Sequence, residues 1–160
     1  MKKILIILLL TLPFSLATAQ NTVEIDDAKP LEWQGKAAVG GYAPEGTLDI
    51  EKVIFTLDEN QITGLVVSVD MTSLSQENKR LERHLRNADF FDVDVFPKAV
   101  FTLTKPIPLD NGSCELEGIM TIKNNSKPEV IPAQINITDG LVIVEFNHQF
   151  DRTRYGINYN

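Results

Sequence analysis

The feature that most constrains this chain is a period of two. Over 65–71 the apolar residues Leu65, Val67, Val69 and Met71 hold every second position, with Ser68 and Asp70 between the later ones. The pattern returns at Phe101 and Leu103, at Cys114, Leu116, Met120 and Ile122, at Ile131, Ala133, Ile135 and Ile137, and at Val144, Phe146, His148 and Phe150. Side chains on a strand point to opposite faces in turn, so this alternation predicts half-buried strands. Short turn sequences separate them: Asp58-Glu59-Asn60, Asp110-Asn111-Gly112 and Asp139-Gly140, with a polar loop at 123–128. Short links leave room only for antiparallel neighbours, which makes the chain a meander. One segment departs from the pattern. Over 75–88, Leu81, Leu85 and Ala88 repeat at helical spacing behind Ser75, a predicted N-cap. The expectation is an all-β antiparallel sheet of about seven to nine strands with one inserted helix, curled into a barrel or sandwich because closure removes exposed edges.

The first residues read as a leader rather than as part of this sheet. Lys2 and Lys3 precede an apolar run over 4–10, and Ala17-Thr18-Ala19 matches a small-x-small cleavage pattern. That is a secretory signal peptide over 1–19, cleaved after Ala19. The run is too short for a comfortable membrane span, so a protein that is not membrane-embedded is expected. The single domain then covers 20–160, long enough to bury roughly two thirds of its unfolded surface. Removing Lys2 and Lys3 takes 15 basic residues to 13 against 22 acidic ones, a net charge of −9. Such a chain is a poor match for nucleic acid or an anionic membrane. Cys114 is the only cysteine. It cannot form an internal disulfide and reads as a small buried hydrophobe.

Catalytic signals are weak. His84 lies just before Asp89, Asp92 and Asp94, but at helical spacing it shares a side with Arg80 and Asn87. None of Ser73, Ser75, Ser113 and Ser126 sits in a nucleophile elbow. His84, His148 and Cys114 lack short metal-ligand spacing. No catalytic residue, metal or cofactor is assigned. What remains is one apolar face shared by many strands. Its inward set is predicted as Trp33, Phe55, Leu57, Val67, Val69, Phe101, Leu103, Leu116, Met120, Ile135, Val144 and Phe146. In a small barrel such a face is either filled by side chains or left open as a ligand cavity. The residues alone leave both readings open.

A resemblance tips that balance. The run His84-Leu85-Arg86-Asn87-Ala88-Asp89-Phe90-Phe91-Asp92-Val93, then Phe96-Pro97 and Phe101, resembles the signature of the YceI-like family. Leu31-Glu32-Trp33-Gln34-Gly35-Lys36, Asp70-Met71-Thr72-Ser73-Leu74 and Asp151-Arg152-Thr153-Arg154-Tyr155-Gly156-Ile157 resemble further family stretches in the same order. The resemblance implies an extended lipocalin-like barrel, exported to the bacterial periplasm or beyond. It also implies a polyisoprenoid or similar long-chain lipid in the interior, with no catalytic residues. His84, Leu85, Asp89, Phe90, Phe91, Asp92, Pro97, Asp151 and Arg152 are then structural: a helix end and turn in which Asp89 and Asp92 cap backbone amides and Phe90 and Phe91 pin the helix over the barrel. The chain departs from the family at Gly40-Gly41-Tyr42-Ala43-Pro44-Glu45-Gly46, where relatives carry a His-x-Gly pattern. Relatives also run well past the last motif: either Asn160 is the true end and the barrel lacks its closing strand, with edges that leak ligand or recruit a partner strand or a second copy, or the sequence is a truncated product. The leading reading is an exported, non-catalytic lipid carrier. A filled-barrel protein-interaction module and a lipid-ester hydrolase centred on His84 or His148 are the alternatives.

Overall fold

The computed structural model describes residues 21–25, 28–36, 42–138 and 141–158. The leader, the start of the departing loop and the Asp139-Gly140 turn lie outside them. The described chain forms one antiparallel sheet in the order β1-β3-β4-β5-β7-β8-β9, with β2 also on β3 and β6 also on β4. The strands are β1 (Asn21–Ile25), β2 (Leu31–Gln34), β3 (Glu45–Asp58), β4 (Gln61–Gln76), β5 (Lys98–Leu103), β6 (Ile107–Pro108), β7 (Gly112–Ile122), β8 (Asn125–Thr138) and β9 (Leu141–Phe146). This is a curled antiparallel half-barrel with one short helix, the all-β class the alternation predicts.

The two long strands organise the curl. Alternation suggests strands at 52–57 and 62–71, yet β3 runs for 14 residues and β4 for 16. The missed lengths lie around register shifts between Thr47 and Asp49 and between Ile50 and Lys52. The shift between Ile50 and Lys52 adds one residue to β3, breaks its period and sharpens the twist, while the extra residues between Thr47 and Asp49 lie on β4, between Asp70 and Ser75. The inward positions of β3 therefore change from Gly46, Leu48 and Ile50 to Val53, Phe55 and Leu57. Each long strand takes two short neighbours on its far side: β1 and β2 along β3, β5 and β6 along β4.

Turn chemistry differs from expectation in three places. Lys123 and Asn124 both have positive φ, 49° and 59°, and β8 begins at Asn125. The predicted polar loop is thus a two-residue turn of the type that matches strand twist. Asp110-Asn111-Gly112 does not close a hairpin between β6 and β7. β6 instead turns aside to pair with Gln61 and Ile62 of β4, Leu109 N–H donates to Asn60 O at 2.7 Å, and β5 is the strand beside β7. The helix α1 (Lys79–Arg86) is shorter than 75–88 and is capped by Asn78, whose side chain accepts from the Arg80 and Leu81 amides. Ser75 does not cap it, because Ser75 still pairs with Thr47 in the sheet. Pro128 and Pro132 sit in the part of β8 that has no β9 beside it, so a missing N–H there removes no bond on that side. No helix among the described residues is long and apolar enough to cross a membrane.

Candidate functional site: an apolar concave face with one capped end

The inward side chains form a single apolar lining. Phe101, Leu103, Leu116 and Ile135 are buried in its central cluster, together with Val53, Ile62, Leu65, Ile107, Ile131 and Ala133. Phe55, Leu57, Val67, Met120 and Val144 are partly buried against that cluster. Trp33 and Val69 are half-buried, and Phe146 is 45% exposed. Two glycines let aromatic rings lie flat on the lining. A Cβ on Gly118 would stand 2.4 Å from Phe101 Cζ, and one on Gly46 would stand 2.7 Å from Trp33 Cζ2.

Burial is uneven across the sheet. By register, Val23 and Ile25 of β1 stand beside Phe55 and Val53, while Val142 and Phe146 of β9 stand beside Ile137 and Ala133. These four share the inward face, yet they are 44%, 38%, 39% and 45% exposed. β1 and β9 are the two ends of the sheet order. The lining is therefore covered in its middle and bare along both margins.

One end of the curl is closed by the two signature stretches. Leu85 on α1 is buried, and Val93 beyond it is 1% exposed. Asp92 adopts a positive φ of 52°, and its N–H donates to Asn87 O at 2.9 Å. Asp92 thus contributes to the turn after the helix through its backbone. Met71 N–H donates to Pro97 O at 2.8 Å, which seats the chain as β5 begins. Phe90 is the meeting point. It packs edge-on with Phe91 at 5.1 Å and with His84 at 6.0 Å, the Arg152 guanidinium lies 5.1 Å over its ring, and its carbonyl accepts from Lys123 Nζ at 2.7 Å. Asp151 caps a 3-10 turn (Arg152–Tyr155) by accepting from Thr153 N–H at 2.9 Å. Gly156 closes the turn at φ 77°, in the left-handed region open to glycine. Tyr155 and Ile157 are fully buried against Ile122, with Phe90, Phe91, Ala99 and Met120 around them. The Asp-Arg-x-x-Tyr-Gly-Ile stretch is a plug.

A polar group lies beneath that plug, and sequence reading missed it. Glu129 follows the inward parity of Ile131, Ala133 and Ile135 and is 8% exposed. One of its oxygens accepts from Arg154 Nη1 at 2.6 Å and from Tyr155 Oη at 2.8 Å, and the other contacts His148 Nε2 at 3.1 Å. Burial first, and then the bond to Glu129, push the Tyr155 phenol well above the ordinary tyrosine value. The signal was a lone glutamate on an otherwise apolar period, with no means of naming its partners. His84 lies elsewhere, lining a small pocket of ≈ 460 Å³ with Tyr42, Asn78, Arg80 and Leu81. Among the described residues no three of His, Cys, Asp or Glu come together to hold a metal. Cys114 is half-buried and free, and burial pushes its thiol up, away from the reactive thiolate.

A larger open pocket of ≈ 920 Å³ lies by β6, β7, β8 and β9. It shares only Phe146 with the predicted interior set and joins inward Ile107, Cys114 and Ala133 to outward Glu115, Glu117 and Glu145. It reaches the bare β9 margin and not the buried centre.

A curled antiparallel sheet with an apolar concave face and one plugged end defines a barrel-type protein built around a hydrophobic interior. The YceI-like domain model matches residues 15–160, and the chain belongs to that family. It is similar to a UPF0312 protein of Vibrio cholerae, 35% identical over 72 residues, covering 45% of this chain and 38% of that one. It is also similar to Protein YceI of Shigella flexneri, 29% identical over 83 residues, covering 51% and 43%. These matches span less than half the length of the curated relatives. Among solved structures, the Campylobacter jejuni YceI protein is 27% identical with a TM-score of 0.54 over 59% of each chain. Burkholderia cenocepacia BcnA is 16% identical with a TM-score of 0.64 over 81% of this chain and 80% of that one, a likeness of fold.

Proposed function

We propose that this protein is an exported, non-catalytic carrier that holds a polyisoprenoid or related long-chain lipid along its concave face. The observation that carries the reading is the exposure of Val23, Ile25, Val142 and Phe146 on the same face whose centre is fully buried. Folded chains seldom leave contiguous apolar lining in water without a use for it. Burying an apolar chain there gains about 25 cal/mol per Å² before ordering costs. Among the described residues the one buried carboxylate on this face, Glu129, is engaged by Arg154, Tyr155 and His148. Native mass spectrometry of protein purified from its own host tests the reading. A lipid-sized mass adduct supports it; a bare polypeptide that also takes up no isoprenoid probe refutes it. Export to the periplasm or beyond, with cleavage after Ala19, is part of the proposal, and N-terminal sequencing of the secreted product checks it.

Among the described residues β9 pairs with β8 alone, which favours a second reading, in which the sheet binds another strand. Ile143 on its outward face is 43% exposed, beside the bare inward Val142 and Phe146. An apolar edge of this kind pairs readily. Concentration-dependent dimerisation that Ile143→Lys abolishes supports strand pairing, and a monomer at all concentrations removes self-pairing.

A further inference from the structure

Trp33 is the only tryptophan in the chain. It faces Gly46 across the β2–β3 pair, and its flanking residues Glu32 and Gln34 are exposed, so the indole turns inward with Leu31. The ring rests on the β3 backbone: a Cβ on Gly46 would lie 2.8 Å from Cε2, the carbon that carries Nε1. Among the described residues, Trp33 Nε1 is the one buried side-chain polar atom with no hydrogen-bond partner. Other buried polar groups on this face are matched. Glu129 has three partners, and Gln76, across β3 from Gly46, accepts from Asn78 N–H at 2.5 Å. Folded proteins rarely leave a buried donor unsatisfied. Indole N–H is a donor only.

We propose that the Trp33 indole N–H is the polar contact for the cargo, donating to an uncharged hydroxyl or carbonyl oxygen at one end of an apolar chain. The assignment rests on the carrier reading. It selects an uncharged head because the neighbouring inward positions by register, Leu31, Gly46, Leu48 and Gln76, carry no cation. Glu82 Oε2 accepts the Gln76 backbone N–H at 2.9 Å, and the same oxygen already holds Lys79 Nζ at 2.8 Å. A phosphate or carboxylate would be desolvated there with the Lys79 charge already taken up by Glu82.

A single tryptophan makes the test direct, since the isotope-labelled chain gives one indole N–H resonance. The probes are geranylgeraniol, the matching hydrocarbon without the hydroxyl, and the alcohol's monophosphate. The alcohol is expected to bind about tenfold more tightly than the hydrocarbon, the gain of one buried hydrogen bond. It alone should move the indole proton downfield. Trp33→Phe is expected to abolish that preference. Equal binding of alcohol and hydrocarbon by the unmodified protein, or an alcohol preference that survives Trp33→Phe, overturns the Trp33 assignment and leaves the carrier reading standing. Tightest binding of the monophosphate overturns the uncharged head. Failure to bind any probe overturns the carrier reading itself. The indole resonance needs no variant, so the test holds even if Trp33→Phe folds poorly.

Discussion

The plugged end of the curl and its bare margins carry similar residues in opposite circumstances. At the plug, Tyr155 and Ile157 are fully buried and Val93 is 1% exposed. At the margins, Val23, Val142 and Phe146, no less apolar, stand 39–45% exposed. The difference lies in what covers them. The plug is built from two stretches far apart in sequence that lock through Phe90, where His84, Phe91, Arg152 and Lys123 converge. The margins belong to strands with one neighbour each. Apolar residues at the plug therefore contribute to stability, and those at the margins are free to contribute to binding.

Four variants sharpen or break that contrast. Tyr155→Ala, which empties a fully buried site and removes one of the three partners of Glu129, is expected to cost about 4 kcal/mol in urea unfolding. A loss below about 1 kcal/mol would show that the plug is not structural. Phe91→Ala should cost less, about 2 kcal/mol, because Phe91 is only half-buried in the same cluster. Tyr155→Phe keeps the ring and removes the hydroxyl, at a cost of about 1–2 kcal/mol.

That variant also has a pH signature. The folded state holds the Tyr155 phenol protonated above its ordinary range. Its stabilising effect is complete below the unfolded value of about 10 and is lost as pH rises from there toward the raised folded value. The unmodified protein should therefore weaken above about pH 10 more steeply than Tyr155→Phe. Parallel alkaline curves would contradict the burial of this phenol. The smallest stability effect is expected at the margin. Val142→Ser with Phe146→Ser should move unfolding by less than about 0.5 kcal/mol while weakening isoprenoid binding about tenfold. A large stability loss with unchanged binding would erase the distinction between plug and margin.

Much of the fold was legible because alternation reports directly on faces. The inward parity of 65–71, of Phe101 and Leu103, and of the β7 and β8 residues follows from period alone. What alternation misses is visible in β3, where the bulge between Ile50 and Lys52 breaks the period and hides half the strand. Ser75 reads as a cap by residue type, but a strand that pairs through Gln76 outcompetes it and Asn78 takes the role. The family motifs were visible as motifs, although nothing in them says that Phe90 and Arg152 touch. Of the predicted lining, Phe101, Leu103, Leu116 and Ile135 lie at the buried centre and Phe146 at a bare margin, a difference the period does not encode.

The sequence by itself determined the class of the sheet, the face each apolar side chain takes and the family, because backbone geometry ties side-chain direction to position along a strand. Only the tertiary structure decided which parts of that face are covered. It brought Tyr155, Arg154 and His148 to Glu129 and left the Trp33 N–H without a partner among the described residues. Burial and hydrogen bonding depend on neighbours distant in the chain, and a period of two says nothing about who those neighbours are.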